Sequence, residues 1–437
     1  MATFLVRPTY LIMVTSANNN KYYNAIPQGD TFKVEYGRVG GHMSTTSYSM
    51  SKWNAQISSK IKKGYVDVTD SKLDIIEDSK VDNSNSESKK VDKFSLIKNE
   101  SVRSILKRLY EFANKTVQSS YKVTSNQVTQ AMLDKAQEQI NFIASNYATW
   151  SIEEFNKQLI TLFTIIPRKM ARVNDYLASS KADKETLDKL IQREQDTLDS
   201  MAGMVYIPKS KRVDINNNSS DSNTENIKTL DEDMLSEMGI EMEDATEEDI
   251  AKIKKAMGDS SDKFYKAWRV KNLEAENEFQ KFMKDNNIKR HKLLCHGSRN
   301  TNWFNILKTS LKIRPSNAVY TGSLLGDAIY MSNSEKYHGG VTKSIGYTSL
   351  NGYWTRDRQN CGFIAFFDVA LGESYDIYSF DSKYHTYNLK KLQQDKPGAW
   401  SLHLHGAGYR NGSTVINDEI TVYDSRQVSI RYLVEIR

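Results

Sequence analysis

Cysteine is scarce in this sequence: Cys295 and Cys361 are the whole complement of 437 residues. That excludes a disulfide framework and a zinc cluster built on cysteine spacing, and it suits a reducing compartment. No stretch approaches the roughly 18 uninterrupted apolar residues of a transmembrane helix. The apolar patches Phe4–Val6 and Leu11–Val14 are split by Arg7, Pro8 and Thr9, which argues against a signal-peptide core. Neither sign of charge dominates either, since the net charge is +6. That value is too small to prove a nucleic-acid partner. The chain is expected to be soluble and intracellular, with no membrane partner.

The distribution of charge is more informative. Residues 1–70 carry eight Lys/Arg against four Asp/Glu, and residues 229–250 carry ten Asp/Glu and no Lys or Arg. A basic end can attract phosphate, although a merely solvated basic surface would read the same way. Residues 1–70 read as strands followed by a helix. Thr31–Tyr36 alternates polar and large side chains, the period of a half-buried strand, and residues 51–63 are helical up to Gly64.

Residues 71–94, rich in Ser, Asp, Asn and Lys, are expected to be a linker. Residues 95–205 carry helical stripes: Val102, Ile105, Leu106 and Leu109; Phe155, Leu159 and Leu162; Leu187, Leu190, Ile191, Leu198 and Met201. Thr124 with Gln127, and Ser151 with Glu154, have capping-box spacing. Residues 209–258 are expected to be a mobile acidic insertion, and 261–284 to be helical, with Phe264, Trp268, Leu273 and Phe279 as apolar contacts. From Lys292 onward short β-rich runs alternate with glycine-containing loops.

Four spaced segments carry the chemistry: Leu293–Arg299 (LLCHGSR), Gly326–Tyr330 (GDAIY), Lys343–Tyr347 (KSIGY) and Glu419–Asp424 (EITVYD). A lone histidine in a turn, a lone tyrosine on a strand or a single glutamate at a strand start is ordinarily structural or solvated. The ordered conjunction outweighs those readings. Together with the tail from Tyr423-Asp424 through Gln427-Val428 to Tyr432-Leu433, the segments resemble the NAD⁺ site of the poly(ADP-ribose) polymerases and its His–Tyr–Glu signature. The resemblance covers about residues 261–437.

The resemblance implies a catalytic set of Glu419, His296 and Tyr330. Gly297 would hold the nicotinamide amide through its backbone, which suits a residue that lets the ligand approach closely. Ser344 would add a hydrogen bond. Tyr347 and Tyr330 would flank the ring. His296 would bond the adenosine ribose, with Asn302 and Ser298 nearby. Glu419 would bond the ribose 2′-hydroxyl and stabilise positive charge as the glycosidic bond breaks. NAD⁺ is then the co-substrate. No metal is needed, because nicotinamide leaves as a neutral molecule. Cys295 stands where the family commonly has Trp, Ala328 where it has Gly, and Ser323 and Leu324 lie in the loop beside the acceptor site. Acceptor choice and polymer length are what these departures touch.

A second resemblance lies at Glu35-Tyr36-Gly37-Arg38-Val39-Gly40. It is similar to the family's WGR motif, with Tyr in place of Trp. It implies that DNA strand breaks with 5′-phosphate ends are a partner, contacted by Tyr36, Gly37, Arg38, Lys62 and Lys63. The run Leu159–Arg168 resembles the family's helical regulatory domain. The expected fold class is therefore multidomain α+β: a small mixed β WGR-like domain over 1–70, a linker over 71–94, an all-α helical regulatory bundle over 95–284, and a β-rich ADP-ribosyltransferase domain over 285–437. The layout is that of the shorter DNA-dependent members. The expected function is DNA-break-dependent transfer of ADP-ribose to protein acceptors, the chain itself included. Two alternatives stay open: a DNA-independent mono-ADP-ribosyltransferase, and a DNA-end-binding scaffold with a silent pocket.

Overall fold

The computed structural model describes residues 3–69, 92–121, 128–205, 232–313, 324–333, 361–406, 415 and 418–437. The chain divides into two compact units, one chiefly of residues 1–88 and 114–205, the other of 89–113, 206–316 and 322–437. No helix among the described residues is long and apolar enough to cross a membrane.

In the first unit, β1 (Thr9–Thr15), β2 (Asn19–Gln28), β3 (Thr31–Arg38) and β4 (Met43–Ser49) form an antiparallel meander, with β5 (Val66–Asp67) on the free side of β1. The β2–β3 hairpin has a two-residue loop, and its first residue, Gly29, has φ 60°. Glycine takes that conformation at no steric cost. The helix Trp53–Lys62 packs on one face, where Leu11, Tyr23, Ala25, Phe32, Val34, Trp53 and Ile57 form a buried core. Ile12 and Val14 point the other way and join the core of the helices. This explains the unbroken apolar run Leu11–Val14: β1 is buried on both faces, so it does not alternate.

The helices Gln130–Asn146, Ile152–Ile165 and Lys184–Val205 belong to the same unit. Ser151 caps the second, accepting from Glu154 N at 3.2 Å, and that helix ends where Ile166 turns extended ahead of Pro167. Thr124 and Gln127 lie outside the described residues; Thr129 caps Gln130–Asn146. Inside the bundle, Arg168 pairs with Glu194 at 2.9 Å, with side chains 4% and 2% exposed.

The second unit holds two sheets. One has the order β6-β7-β14-β10-β8, from β6 (Ile240–Asp244), β7 (Phe264–Asn272), β14 (Val428–Ile436), β10 (Gly362–Ala370) and β8 (His291–Gly297). The other has the order β11-β12-β13-β9, from β11 (Glu373–Ile377), β12 (Ala399–Leu404), β13 (Glu419–Val422) and β9 (Ile329–Met331). A bridge between Cys295 and Ser332, with two backbone bonds of 2.9 Å, links edge strand β8 to the end of β9.

Two expectations from the sequence are corrected here. Residues 261–284 are not helical throughout, because Phe264–Asn272 is a strand between a short 3-10 turn at Ser261–Lys263 and the α-helix Leu273–Asp285. Trp268, Val270 and Asn272 are buried while Arg269 and Lys271 are exposed. That is a period of two, and Leu273 faces out rather than into the core. Nor is 209–258 a mobile insertion as a whole. Residues 209–231 lie outside the described residues, but 232–257 form the helix Met234–Met238, β6 and the helix Glu247–Met257. The acidic residues do structural work there: Asp233 caps one helix, and Thr246 with Asp249 forms a full capping box on the other. Ile240 and Met242 alternate inward along β6. The sheet that carries β14 therefore begins at Ile240, ahead of the boundary expected at 285.

Candidate active site

The chemistry gathers where β8, β9 and β13 come together. On β13, Glu419 and Thr421 share a face, because side chains alternate along a strand. Thr421 lies directly across from Tyr330 of β9, so Glu419 sits diagonal to Tyr330 on that face. Burial, and then the charge of neighbouring Asp418, push the Glu419 carboxyl up to about 7. A carboxylic acid poised there can ionise near neutral pH without being fully hydrated.

His296 lies on β8, and its Nδ1 is 2.9 Å from the carbonyl oxygen of Tyr330. A carbonyl only accepts, so Nδ1 carries the proton. In the neutral ring Nε2 is then an acceptor, suited to a ribose hydroxyl. Burial lowers the His296 pKa and favours that neutral ring, with the backbone bond opposing. Trp303 packs edge-on to the imidazole at 6.5 Å.

Gly297 ends β8. Its N–H and C=O point the same way as those of Cys295, toward the β9 side. Among the described residues no strand continues the pairing to Gly297 there. Ser298 and Asn302 follow, with Asn302 Nδ2 donating to Ser298 Oγ at 3.1 Å.

Tyr330 is held from both ends. Its hydroxyl accepts from Leu325 N at 2.7 Å and donates to Gly326 O at 3.1 Å; burial raises its pKa. Gly326 has φ 81°, and a Cβ there would stand 2.2 Å from Tyr387 O, so only glycine fits. Tyr423 OH donates to Leu325 O at 2.9 Å, fixing the same turn to the end of β13. Ser344 and Tyr347 lie outside the described residues, as does Ser323. The structure thus brings His296, Gly297, Tyr330 and Glu419 onto adjoining strands, with Ser298 and Asn302 just beyond.

Sequence reasoning missed the supports. Gln427 is fully buried. Its Oε1 accepts from Tyr423 N and Asp424 N, and its Nε2 donates to Ala370 O and Trp400 O, at 2.7–3.1 Å. Those four bonds are the full capacity of an amide, and they tie β10 and β12 to the turn that follows β13. Asp418, the other missed residue, is buried and accepts from Gly406 N at 2.8 Å. Gln427 stood in the sequence as part of the tail that resembles the family, without a role, and the only signal for Asp418 was adjacency to the EITVYD segment.

The residues expected to meet DNA lie in the first unit. Tyr36 on β3 is 39% exposed, with its ring 6.4 Å from that of Tyr23. A Cβ at Gly37 would meet His42 O at 2.4 Å. Arg38 donates to Asn18 O and Asn18 Oδ1 at 2.9 Å each, and to Ala171 O at 2.8 Å. Lys62 and Lys63 are exposed at the end of the helix Trp53–Lys62. Lys60 lies 4.3 Å over the Tyr23 ring, with its pKa lowered by burial and then by Lys63 and Lys21.

Compared with known families, residues 247–437 match the poly(ADP-ribose) polymerase catalytic domain. This part of the chain is therefore an NAD⁺ ADP-ribosyltransferase domain. The match begins at the helix Glu247–Met257. Over this part the chain is similar to the poly(ADP-ribose) polymerase family. Among relatives, protein 101L of Invertebrate iridescent virus 6, described as uncharacterized, is 33% identical over 47% of this chain and 81% of its own length. Poly [ADP-ribose] polymerase 1 of Gallus gallus is 31% identical over 38% of this chain. The viral putative poly [ADP-ribose] polymerase-like 100L is 28% identical over 40% of this chain and 86% of its own length. This chain matches 17% of the length of the Gallus gallus protein.

Proposed function

We propose that the whole chain cleaves NAD⁺ and passes ADP-ribose, as polymer, to protein acceptors including itself, and does so when the first unit engages DNA breaks with 5′-phosphate ends. The observation that carries the transfer reading is Glu419 on β13, half-buried, diagonal to Tyr330 and with its pKa raised toward neutrality. In this reading the Gly297 backbone and Ser344 hold the carboxamide, Tyr330 and Tyr347 flank the nicotinamide ring, and His296 Nε2 accepts from a ribose hydroxyl. Ionised Glu419 accepts from the ribose 2′-hydroxyl. As the glycosidic bond lengthens, the electron pair leaves with nicotinamide and the carboxylate stabilises the positive ribose. An acceptor side chain then attacks the anomeric carbon, losing its proton with help from the same carboxylate.

The DNA reading is supported by the exposed ring of Tyr36 on β3, which packs near Tyr23 and, through it, Lys60 of the basic helix Trp53–Lys62, a surface able to stack on a terminal base and neutralise phosphates. Arg38 joins that surface to the backbone at Ala171 beside the bundle. DNA contact can thereby bias the opening of a helical element. The protein acts inside the cell, at DNA.

The test is incorporation of labelled NAD⁺ by purified chain, with and without 5′-phosphorylated breaks, resolved by product size. Expected are DNA-stimulated long products and, for Glu419→Gln, a loss of about 10²–10³ in rate. Short products unaffected by DNA would point instead to a DNA-independent mono-transferase, which the Tyr at position 36 favours. DNA binding with no nicotinamide release by wild type would leave only a scaffold.

A further inference from the structure

A second cluster of titratable groups lies one strand away from Glu419. β11 and β12 run parallel, and their register pairs Asp376 with His403. His405 follows two residues on, so its ring falls on the same face. The two imidazoles stack with centroids 3.8 Å apart, and Tyr378 stacks on His405 at 4.7 Å. Asp376 Oδ1 stands 2.9 Å from His405 Nε2 and 3.6 Å from His403 Nδ1. One donor atom from each of the three residues lies within 4.8 Å of the others. The far side of His403 is also occupied: its buried Nε2 is 2.9 Å from Asp418 Oδ2, at an angle outside hydrogen-bond geometry.

We propose that Asp376, His403 and His405 form a binding site for a divalent transition metal, Zn²⁺ foremost, with Asp418 as the carboxylate behind His403. Two imidazoles and one carboxylate suit zinc or cobalt and are too poor in oxygen for calcium or magnesium. Tetrahedral bonds of about 2.0–2.1 Å put donor atoms roughly 3.3 Å apart, a spacing that the observed 2.9 and 3.6 Å bracket. His403 on β12 and His405 one residue past its end, still bonded to Ile377 O, offer donors from one face without backbone movement. Asp376 is 45% exposed, which gives the ion a path in and room for a water as fourth ligand. A carboxylate behind a ligating histidine fixes its tautomer and raises its basicity, and a small turn of the His403 ring would align Nε2–H with Asp418 and leave Nδ1 toward the metal. The ion would clamp β11 to β12 and, through Asp418, brace the residue that precedes Glu419. Its role is positional.

The test uses untagged full-length chain stripped with a chelator, titrated with Zn²⁺ by calorimetry and with Co²⁺ by visible absorption. Expected are one site per chain, the intense visible bands of four-coordinate cobalt, and a higher melting temperature with Zn²⁺. His405→Ala and Asp376→Asn should each abolish the bands, and Asp418→Asn should weaken affinity about 10–100-fold. Absence of a stoichiometric site, or binding unchanged in both ligand variants, overturns the proposal and leaves a metal-free histidine–aspartate cluster. If His405→Ala is misfolded by circular dichroism, the near-isosteric Asp376→Asn decides.

Discussion

The two five-stranded sheets are assembled in opposite ways. In the first unit β1 to β4 pair in sequence order through short turns, and only β5 returns from farther along. In the second unit the centre of the sheet is β14, the last strand, paired with β7 and β10. Local pairing closes small loops and can be read from neighbouring residues. Pairing between β7 and β14 must overcome a long loop and shows no local signature beyond burial. The same contrast extends to buried charge. Glu194 pairs with Arg168, which is itself buried, as well as with Arg193, 39% exposed, whereas buried Glu435 meets Arg108 and Arg437, whose side chains are 36% and 50% exposed.

The largest expected effect tests that contrast. Glu194→Gln leaves Arg168 buried without its counter-charge and should cost about 3–5 kcal/mol. Glu435→Gln should cost about 1 kcal/mol or less, because its arginines can turn to water. Urea denaturation of each variant measures both, and equal losses would erase the distinction. Next, Thr246→Ala removes the reciprocal cap on the helix Glu247–Met257 and should cost about 1 kcal/mol. If residues 232–257 were a loose insertion instead of part of the second unit, hydrogen exchange in β7 and β14 would not respond.

The smallest effect is a displacement of a pH profile. The Glu419 carboxyl is raised to about 7, so between the ordinary carboxylate range and pH 7 the folded chain holds a proton that the unfolded chain releases. Stability from this group is therefore fully present below that range and lost as pH rises through about 7. Activity runs the other way in the proposed mechanism, which uses ionised Glu419, so kcat/KM of the free enzyme should climb through about pH 7. Asp418→Asn removes the second cause of the shift and should move the climb to lower pH. A profile unmoved in that variant would mean burial alone sets the value.

The alternation in Thr31–Tyr36, the stripes of the helical bundle and the cap at Ser151 were legible because each is decided within a few residues. The spaced segments around His296, Tyr330 and Glu419 were legible as a family likeness, though not as a geometry. What the sequence hid was decided at long range. Phe264–Asn272 has enough large apolar residues to pass for a helix face, and only the open edge of β14 makes it a strand. The acidic run looked unable to order itself because its charges were counted rather than placed. At helix N-termini and on the outer face of β6 they are stabilising.

By itself, then, the sequence determined the local periods, the caps and the set of residue types able to handle NAD⁺. Tertiary structure decided which strands are neighbours, which carboxyl is buried beside another, and that Asp376, His403 and His405 meet. Burial and electrostatic coupling depend on distance in space, and distance in space is fixed only when the chain has chosen its partners.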